Sequence, residues 1–271
     1  MLFEDVKNNN KAADSANWAY PLYRAIRWVV WLCYPKMEVT GTENLPDGPA
    51  IIVGNHAQMN GPIAAQLYFP KKQYTWCAGE MMKLRDVPAY AYKDFWSEKP
   101  RYIRWFYKLL SYIIAPLSVC VFNNADTIPV YHDARAITTF KETVKRLTEG
   151  ASVVILPEHG EPYNHILYDF QNRFVDIAGL YYKRTGRELP FVPMYVCPRL
   201  KKLVLGKPIA YDSQSEKELE RERICAYLME EITAMACALP PHTVVPYKNI
   251  PKRDYPSNRL PEANADEKAG C

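Results

Sequence analysis

Short apolar runs alternate along this chain with longer stretches whose apolar positions recur every three or four residues. Residues 50–53, 152–156 and 189–196 are apolar runs that read as buried strands, and 72–78 and 127–130 are two further strand candidates. Residues 37–42 alternate and read as a strand, followed by turn chemistry over 43–49 in Leu-Pro-Asp-Gly-Pro; 201–209 reads as a strand near a sheet edge. Between them, 133–149 places Ile137, Phe140, Val144 and Leu147 at helical spacings with Gly150 as a stop. Residues 63–68, 174–185 and 215–238 also read as helices, and 81–122 as mostly helical and aromatic. Buried strands separated by helices predict an α/β fold with a mostly parallel central sheet flanked by helices.

The two ends break this rhythm. Residues 15–34 are apolar or aromatic nearly all round, with Trp18, Tyr20, Tyr23, Trp28 and Trp31 interleaved with Arg24 and Arg27. This predicts an N-terminal membrane-contacting helical segment, although a buried core helix fits the same pattern. Lys99, Arg101, Arg104 and Lys108, set among Tyr102, Trp105, Phe106 and Tyr107, form a second candidate lipid contact. The longest apolar run, 109–122, is broken by Ser111, Pro116 and Ser118 and falls short of a membrane span, so monotopic or peripheral contact is expected. Residues 240–271 are Pro-rich and polar and are expected to be extended and weakly ordered. The expected organisation is an interfacial segment at 1–35, an α/β domain at 36–239 and a polar tail at 240–271.

Composition narrows the function. A net charge of +4 suits an anionic membrane surface and falls short of a nucleic-acid-binding profile. The 7 cysteines are scattered without CxxC pairs or zinc spacing and read as reduced thiols of a cytosolic compartment. The polar, acidic start lacks a signal-peptide pattern. Without a Gly-x-Ser-x-Gly elbow, P-loop, dinucleotide fingerprint or metal motif, the chain does not read as a serine hydrolase, kinase or dehydrogenase, and no cofactor or metal is expected.

Four polar clusters fall at strand ends, where open α/β sheets gather their reactive groups: Asn55-His56, Tyr131-His132, Glu158-His159-Gly160, and the segment after 192–196. Their order and spacing resemble the glycerol-3-phosphate and lysophosphatidic acid (1-acylglycerol-3-phosphate) acyltransferase superfamily. The family's Asn-His-x4-Asp motif matches Asn55-His56-Ala57-Gln58-Met59-Asn60-Gly61, and Pro-Val-Asp-Arg matches Pro129-Val130-Tyr131-His132. Phe-Pro-Glu-Gly-Thr-Arg matches Leu156-Pro157-Glu158-His159-Gly160, and Val-Pro-Val matches Val192-Pro193-Met194. Gly61 stands where the family has Asp, with Asn60 one place earlier, and Tyr131 and His132 replace Asp and Arg, so each departure removes a charge.

The resemblance implies a divergent O-acyltransferase with His56 as general base in a ternary complex. It would move a fatty acyl group from an acyl-CoA or acyl carrier protein thioester to a lysophospholipid-like acceptor, at the cytoplasmic face of the cell membrane. On this reading Asn60 orients His56 through its amide oxygen. Glu158, with Asn55, His159 and Gly160, places the acceptor; Arg135, Arg173 or Lys183 takes over from the family's phosphate-gripping arginines. The rival is a catalytically silent lipid-binding module that kept the fold and lost the acid.

Overall fold

The computed structural model describes residues 19–97 and 100–259. In chain order these form α1 (Ala19–Cys33), β1 (Glu38–Thr40), β2 (Ile51–Gly54), α2 (Asn60–Tyr68), β3 (Gln73–Ala78), α3 (Val87–Ala91) and a π-helical turn, Tyr92–Trp96. Then come α4 (Arg104–Asn124), β4 (Thr127–Val130), α5 (Ala136–Thr148), β5 (Ser152–Ile155), β6 (Glu158–Tyr163) and β7 (Tyr168–Phe170). The chain continues through α6 (Asp176–Thr185), β8 (Pro190–Cys197), β9 (Lys202–Leu205), β10 (Ile209–Ala210) and α7 (Lys217–Ala238).

The main sheet runs β1-β9-β8-β2-β5-β3-β4, with β10 beside β8. β2, β3, β4, β5 and β8 are mutually parallel along this path, and β9 and β10 run antiparallel to β8. Strand alternation sends Ile51, Val53, Val153, Ile155 and Phe191 to one face, where they meet Val144 and Leu147 of α5, Ile177 of α6 and Ile224 and Leu228 of α7. Ile52, Val154, Val192 and Met194 point to the other face and pack on Ala64 and Ala65 of α2. Both faces being covered is why these strands read as unbroken apolar runs rather than alternating ones. The fold is therefore α/β with a mostly parallel central sheet flanked by helices.

The strand read near an edge, β9, lies next to the edge strand β1. Two expectations need correction. The run at 109–122, read as too short for a membrane span, belongs to a helix over Arg101–Asn124 that is long and apolar enough to cross one by length and composition. It lies instead along the folded body, with Ala115 buried against Met81, Val87 and Ala91 and with α1 packed beside it.

The second correction concerns the polar tail, whose residues 240–259 fold back onto the domain. Asn258, which is 0% exposed, accepts from the His242 amide at 2.8 Å and donates to the carbonyls of Ala236 and Leu239 at the end of α7. His242 is buried against the Tyr195 hydroxyl at 2.9 Å. One buried amide and one buried imidazole thus tie down a segment whose composition signals looseness. Residues 1–18, Lys99 and 260–271, which carry part of the expected N-terminal segment, lipid contact and tail, lie outside the described residues.

Candidate functional site

β2 ends at Gly54 deep in the sheet, and Asn55 closes it. Its amide nitrogen donates to the Val196 carbonyl at 3.0 Å and its amide oxygen accepts from the Val196 N–H at 2.7 Å. Asn55, which the resemblance implied for acceptor binding, therefore clamps β2 to β8 with both polar atoms engaged by Val196.

The chain then turns back sharply. Ala57 and Gln58 take φ of 43° and 54°, a left-handed conformation that costs a non-glycine residue about 1–2 kcal/mol each. Three hydrogen bonds hold the turn: the Gly61 N–H to the His56 carbonyl at 3.0 Å, and the Asn60 N–H and side-chain amide to the Ala57 carbonyl at 3.1 and 2.9 Å. Folded this way, the turn brings the Gln58 carbonyl to 2.5 Å from His56 Nδ1. A carbonyl only accepts, so Nδ1 carries the proton and Nε2 keeps its lone pair. Burial pushes the His56 pKa below its ordinary 6.5, against the opposing pull of the Gln58 carbonyl and of Asp94, so the ring is a neutral base at pH 7.

Asn60, expected to orient this ring, does not reach it. Its amide oxygen accepts from the Tyr34 hydroxyl at 3.3 Å, and its nitrogen is held by Ala57. The orienting group is the Gln58 backbone carbonyl, which no side-chain pattern could reveal. At Gly61, where the related motif has Asp, a Cβ would stand 2.6 Å from both the Asn55 and His56 carbonyl oxygens. The turn has closed over the place an aspartate would need.

Glu158 is buried rather than solvated. Its Oε1 accepts from the His56 N–H at 2.6 Å and its Oε2 from the Tyr168 N–H at 2.9 Å. It ties the His56 backbone to the β6–β7 hairpin, an element the sequence reading missed because its strands carry charges, a proline and a histidine. Burial pushes the Glu158 carboxyl up to about 7 although both N–H donors pull it down. Raising the pKa of an acid on folding gives stability that is present below the unfolded value and lost as pH rises through the folded one.

Between pH 4.5 and 7, therefore, the stability difference between wild type and Glu158→Gln shifts against wild type by up to about 3 kcal/mol. Urea unfolding of both proteins at several pH values measures this. The pH-independent loss of one N–H acceptor in the Gln variant cancels in the comparison across pH, and so does the opposite contribution of His56. A difference that stays flat would mean that the carboxyl ionises normally.

A cavity of about 660 Å³ opens beside His56 at the carboxyl ends of β3, β4 and β5. Trp76, Val130, Phe140, Ile155, Leu156 and Phe174 give it an apolar depth, while Glu158, His132, His159 and Arg173 line it with polar groups. Cys77 also lines it, and burial pushes that thiol up to about 11, so it keeps its proton. Of the residues singled out by sequence, the cavity gathers His56, Glu158, His159 and Arg173. Arg135 and Gly160 are not among its lining residues. Arg135 is paired with Asp133 at 2.7 Å and stacked on the Tyr131 ring at 4.0 Å, and Gly160 sits in the hairpin opposite Asp169. The described residues contain no group of His, Cys, Asp and Glu arranged to hold a metal.

Two lining residues lay outside sequence reasoning. Tyr247, on the folded-back segment, meets the His56 ring edge-on at 5.3 Å, and Tyr90 of α3 lines the same space. The segment carrying Tyr247 is held by the Lys248–Glu161 pair at 2.7 Å and by the hydrogen bond from Gln58 Nε2 to the Tyr255 hydroxyl at 2.8 Å. No periodicity or motif marks either tyrosine.

No protein-family model and no curated protein matches the sequence. Among solved structures, the chain is similar to the 1-acyl-sn-glycerophosphate (LPA) acyltransferase PlsC from Thermotoga maritima, at 14% identity and a TM-score of 0.47. That likeness covers 82% of this chain and 81% of the other.

Proposed function

We propose that this protein is an acyltransferase that moves a fatty acyl group from an acyl-CoA or acyl carrier protein thioester to the hydroxyl of a lysophospholipid-like acceptor at a membrane surface. The observation that carries this reading is a neutral imidazole, its Nδ1 proton fixed on the Gln58 carbonyl, lining a cavity with an apolar depth. The motif resemblance read from the sequence points to the same chemistry.

In this reaction His56 Nε2 accepts the acceptor's hydroxyl proton as that oxygen attacks the thioester carbonyl carbon. The carbon–sulfur bond then breaks, and the departing sulfur takes the proton back from the imidazolium. The reaction passes through a ternary complex: the one cysteine thiol lining the cavity stays protonated, which makes an acyl-enzyme on Cys77 unfavourable. Arg173, exposed at the cavity, suits an anionic headgroup, and the aliphatic and aromatic depth suits the acyl chain. Glu158 acts by fixing the His56 backbone rather than by holding the acceptor.

Membrane contact would run through α1 and α4, which pack side by side and leave Trp28 60%, Leu32 61%, Trp105 68% and Ile113 64% exposed. A contiguous exposed apolar face of this kind, flanked by Arg24, Arg27, Arg101 and Lys108, suits the cytoplasmic, anionic side of a cell membrane. Flotation with phosphatidylglycerol-containing vesicles is expected to capture the protein. The double variant Trp28→Asp, Trp105→Asp should weaken capture roughly tenfold or more, each ring burying well over 1 kcal/mol of apolar surface. Equal capture of both proteins would remove this face from the proposal.

The enzymatic reading is tested by incubating purified protein with labelled acyl thioesters and a panel of lysolipids, beside His56→Ala. Acylated lipid formed by wild type alone supports it. Equal background from both leaves the rival, a lipid-binding module with the same fold.

A further inference from the structure

Proton transfer to His56 Nε2 requires the ring to hold one orientation, because a half-turn about its Cβ–Cγ bond exchanges Nδ1 with Cδ2 and Nε2 with Cε1. Two contacts resist that turn: the Gln58 carbonyl, 2.5 Å from Nδ1, and the Tyr247 ring, edge-on with its centroid at 5.3 Å. Both trace to one distant stretch of chain. We propose that residues 243–257 form a strap that fixes the orientation and tautomer of His56, with Tyr255 and Tyr247 as its positioning residues. This role rests on the acyltransferase reading of His56 and adds to it the groups that hold the base in place.

The strap is a loop closed at its base. Thr243 and Ser257 form an antiparallel bridge, and the Val244 N–H donates to the Pro256 carbonyl at 2.9 Å, directly beside the buried His242 and Asn258. A compact surface loop with paired ends of this kind is an Ω-loop. On its outgoing limb Lys248 pairs with Glu161 of β6 at 2.7 Å and stands 4.7 Å over the Tyr168 ring, which stacks on Tyr163 at 4.3 Å. Those contacts seat Tyr247 between Tyr168, at 6.3 Å, and His56. On the returning limb the Tyr255 hydroxyl accepts from Gln58 Nε2 at 2.8 Å.

The contact from Tyr255 bears on a strained residue. Gln58 takes a φ of 54°, a left-handed conformation that a non-glycine residue keeps only where surrounding contacts over-determine it. Its carbonyl faces His56 Nδ1 while its side-chain amide is tied to a hydroxyl 197 positions away, so the residue is held from both ends. Tyr255 is not among the residues lining the cavity, and its hydroxyl therefore acts on the reaction through Gln58, whereas Tyr247 lines the cavity and packs against the ring itself. Glu158 completes the arrangement from a third side: it accepts from the His56 and Tyr168 N–H groups, and Tyr168 belongs to the hairpin on which the strap rests.

The experiment labels the full chain with ring-¹⁵N histidine and reads the tautomer of each of the 5 histidines at neutral pH from long-range proton–nitrogen correlation spectra, with His56 assigned by its loss in His56→Ala. Wild type is expected to show the Nδ1–H tautomer alone at His56. Tyr255→Phe deletes one hydroxyl and keeps the packing of its ring. It should move both His56 nitrogens toward the averaged shifts of a free imidazole and lower kcat by roughly three- to tenfold with KM unchanged. Tyr247→Ala should move them further, and Tyr247→Phe, which keeps the aromatic contact, should recover most of the wild-type spectrum. Unmoved nitrogens in Tyr255→Phe remove Tyr255 from this role, and unmoved nitrogens in Tyr247→Ala remove Tyr247; both results together overturn the strap. If wild type transfers no acyl group to any acceptor, the enzymatic reading falls, while the nitrogen shifts still decide whether the strap fixes His56.

Discussion

His56→Ala is expected to lower kcat/KM for acyl transfer by about 10²- to 10⁴-fold, the usual worth of a positioned general base, without unfolding the protein. The ties that hold this corner of the structure run through the backbone: the His56 N–H to Glu158, the Gly61 N–H to the His56 carbonyl, and the Asn55 clamp on Val196. All of them survive the truncation, which removes the contact to the Gln58 carbonyl and the edge-on packing of Tyr247. Circular dichroism and the urea midpoint should therefore move little while turnover collapses. The wild-type pH profile carries the same signature. His56 is a base when neutral and its pKa lies below 6.5, so kcat/KM is already at its plateau at pH 7 and declines as acidity rises through that lowered value. A rising limb centred above pH 7 would assign the base to another group.

The second large effect is structural and runs against motif repair. Gly61→Asp recreates the acid of the related motif, and it is expected to destabilise the protein by about 2–4 kcal/mol and lower activity. The new Cβ would sit 2.6 Å from two carbonyl oxygens, Asn55 and His56; both are backbone atoms, and the second accepts the Gly61 N–H. Relief would require opening the left-handed turn at Ala57 and Gln58 that presents the Gln58 carbonyl to the ring. Gly61→Ala separates sterics from charge, and most of the same loss should appear there. Urea unfolding of the two variants measures it, and a gain in turnover by Gly61→Asp at unchanged stability would show that the turn is open to an acid after all.

Both predictions concern a turn whose importance was legible and whose workings were not. The strand of residues 50–53 was visible because it is apolar on both faces, and Asn55-His56 stood out as polar residues at its end. The orienting partner was assigned to Asn60 by its place in the motif, yet that side chain is turned toward Tyr34 and Ala57. A main-chain carbonyl has no side-chain identity, so no pattern of residue types could have singled out Gln58. Glu158 was picked out as an acceptor-binding residue, but its burial and its double engagement with His56 and Tyr168 depend on a hairpin with no apolar alternation to reveal it. Arg135 and Arg173 looked equivalent as charges; a neighbouring Asp133 captures one, and the other lines the cavity.

By itself the sequence determined the layered α/β architecture, the order of the parallel strands and the helices between them, and the strand end that bears His56. Each of these follows from burial acting on local periodicity, which amino-acid order records directly. Only the tertiary structure decided what surrounds the imidazole: Gln58 by a left-handed turn, Tyr247 by a segment folded back through Asn258, and Glu158 by a hairpin that meets the His56 backbone. Those groups meet through chain reversals and packing between distant segments, and neither hydrophobic periodicity nor motif spacing carries that information.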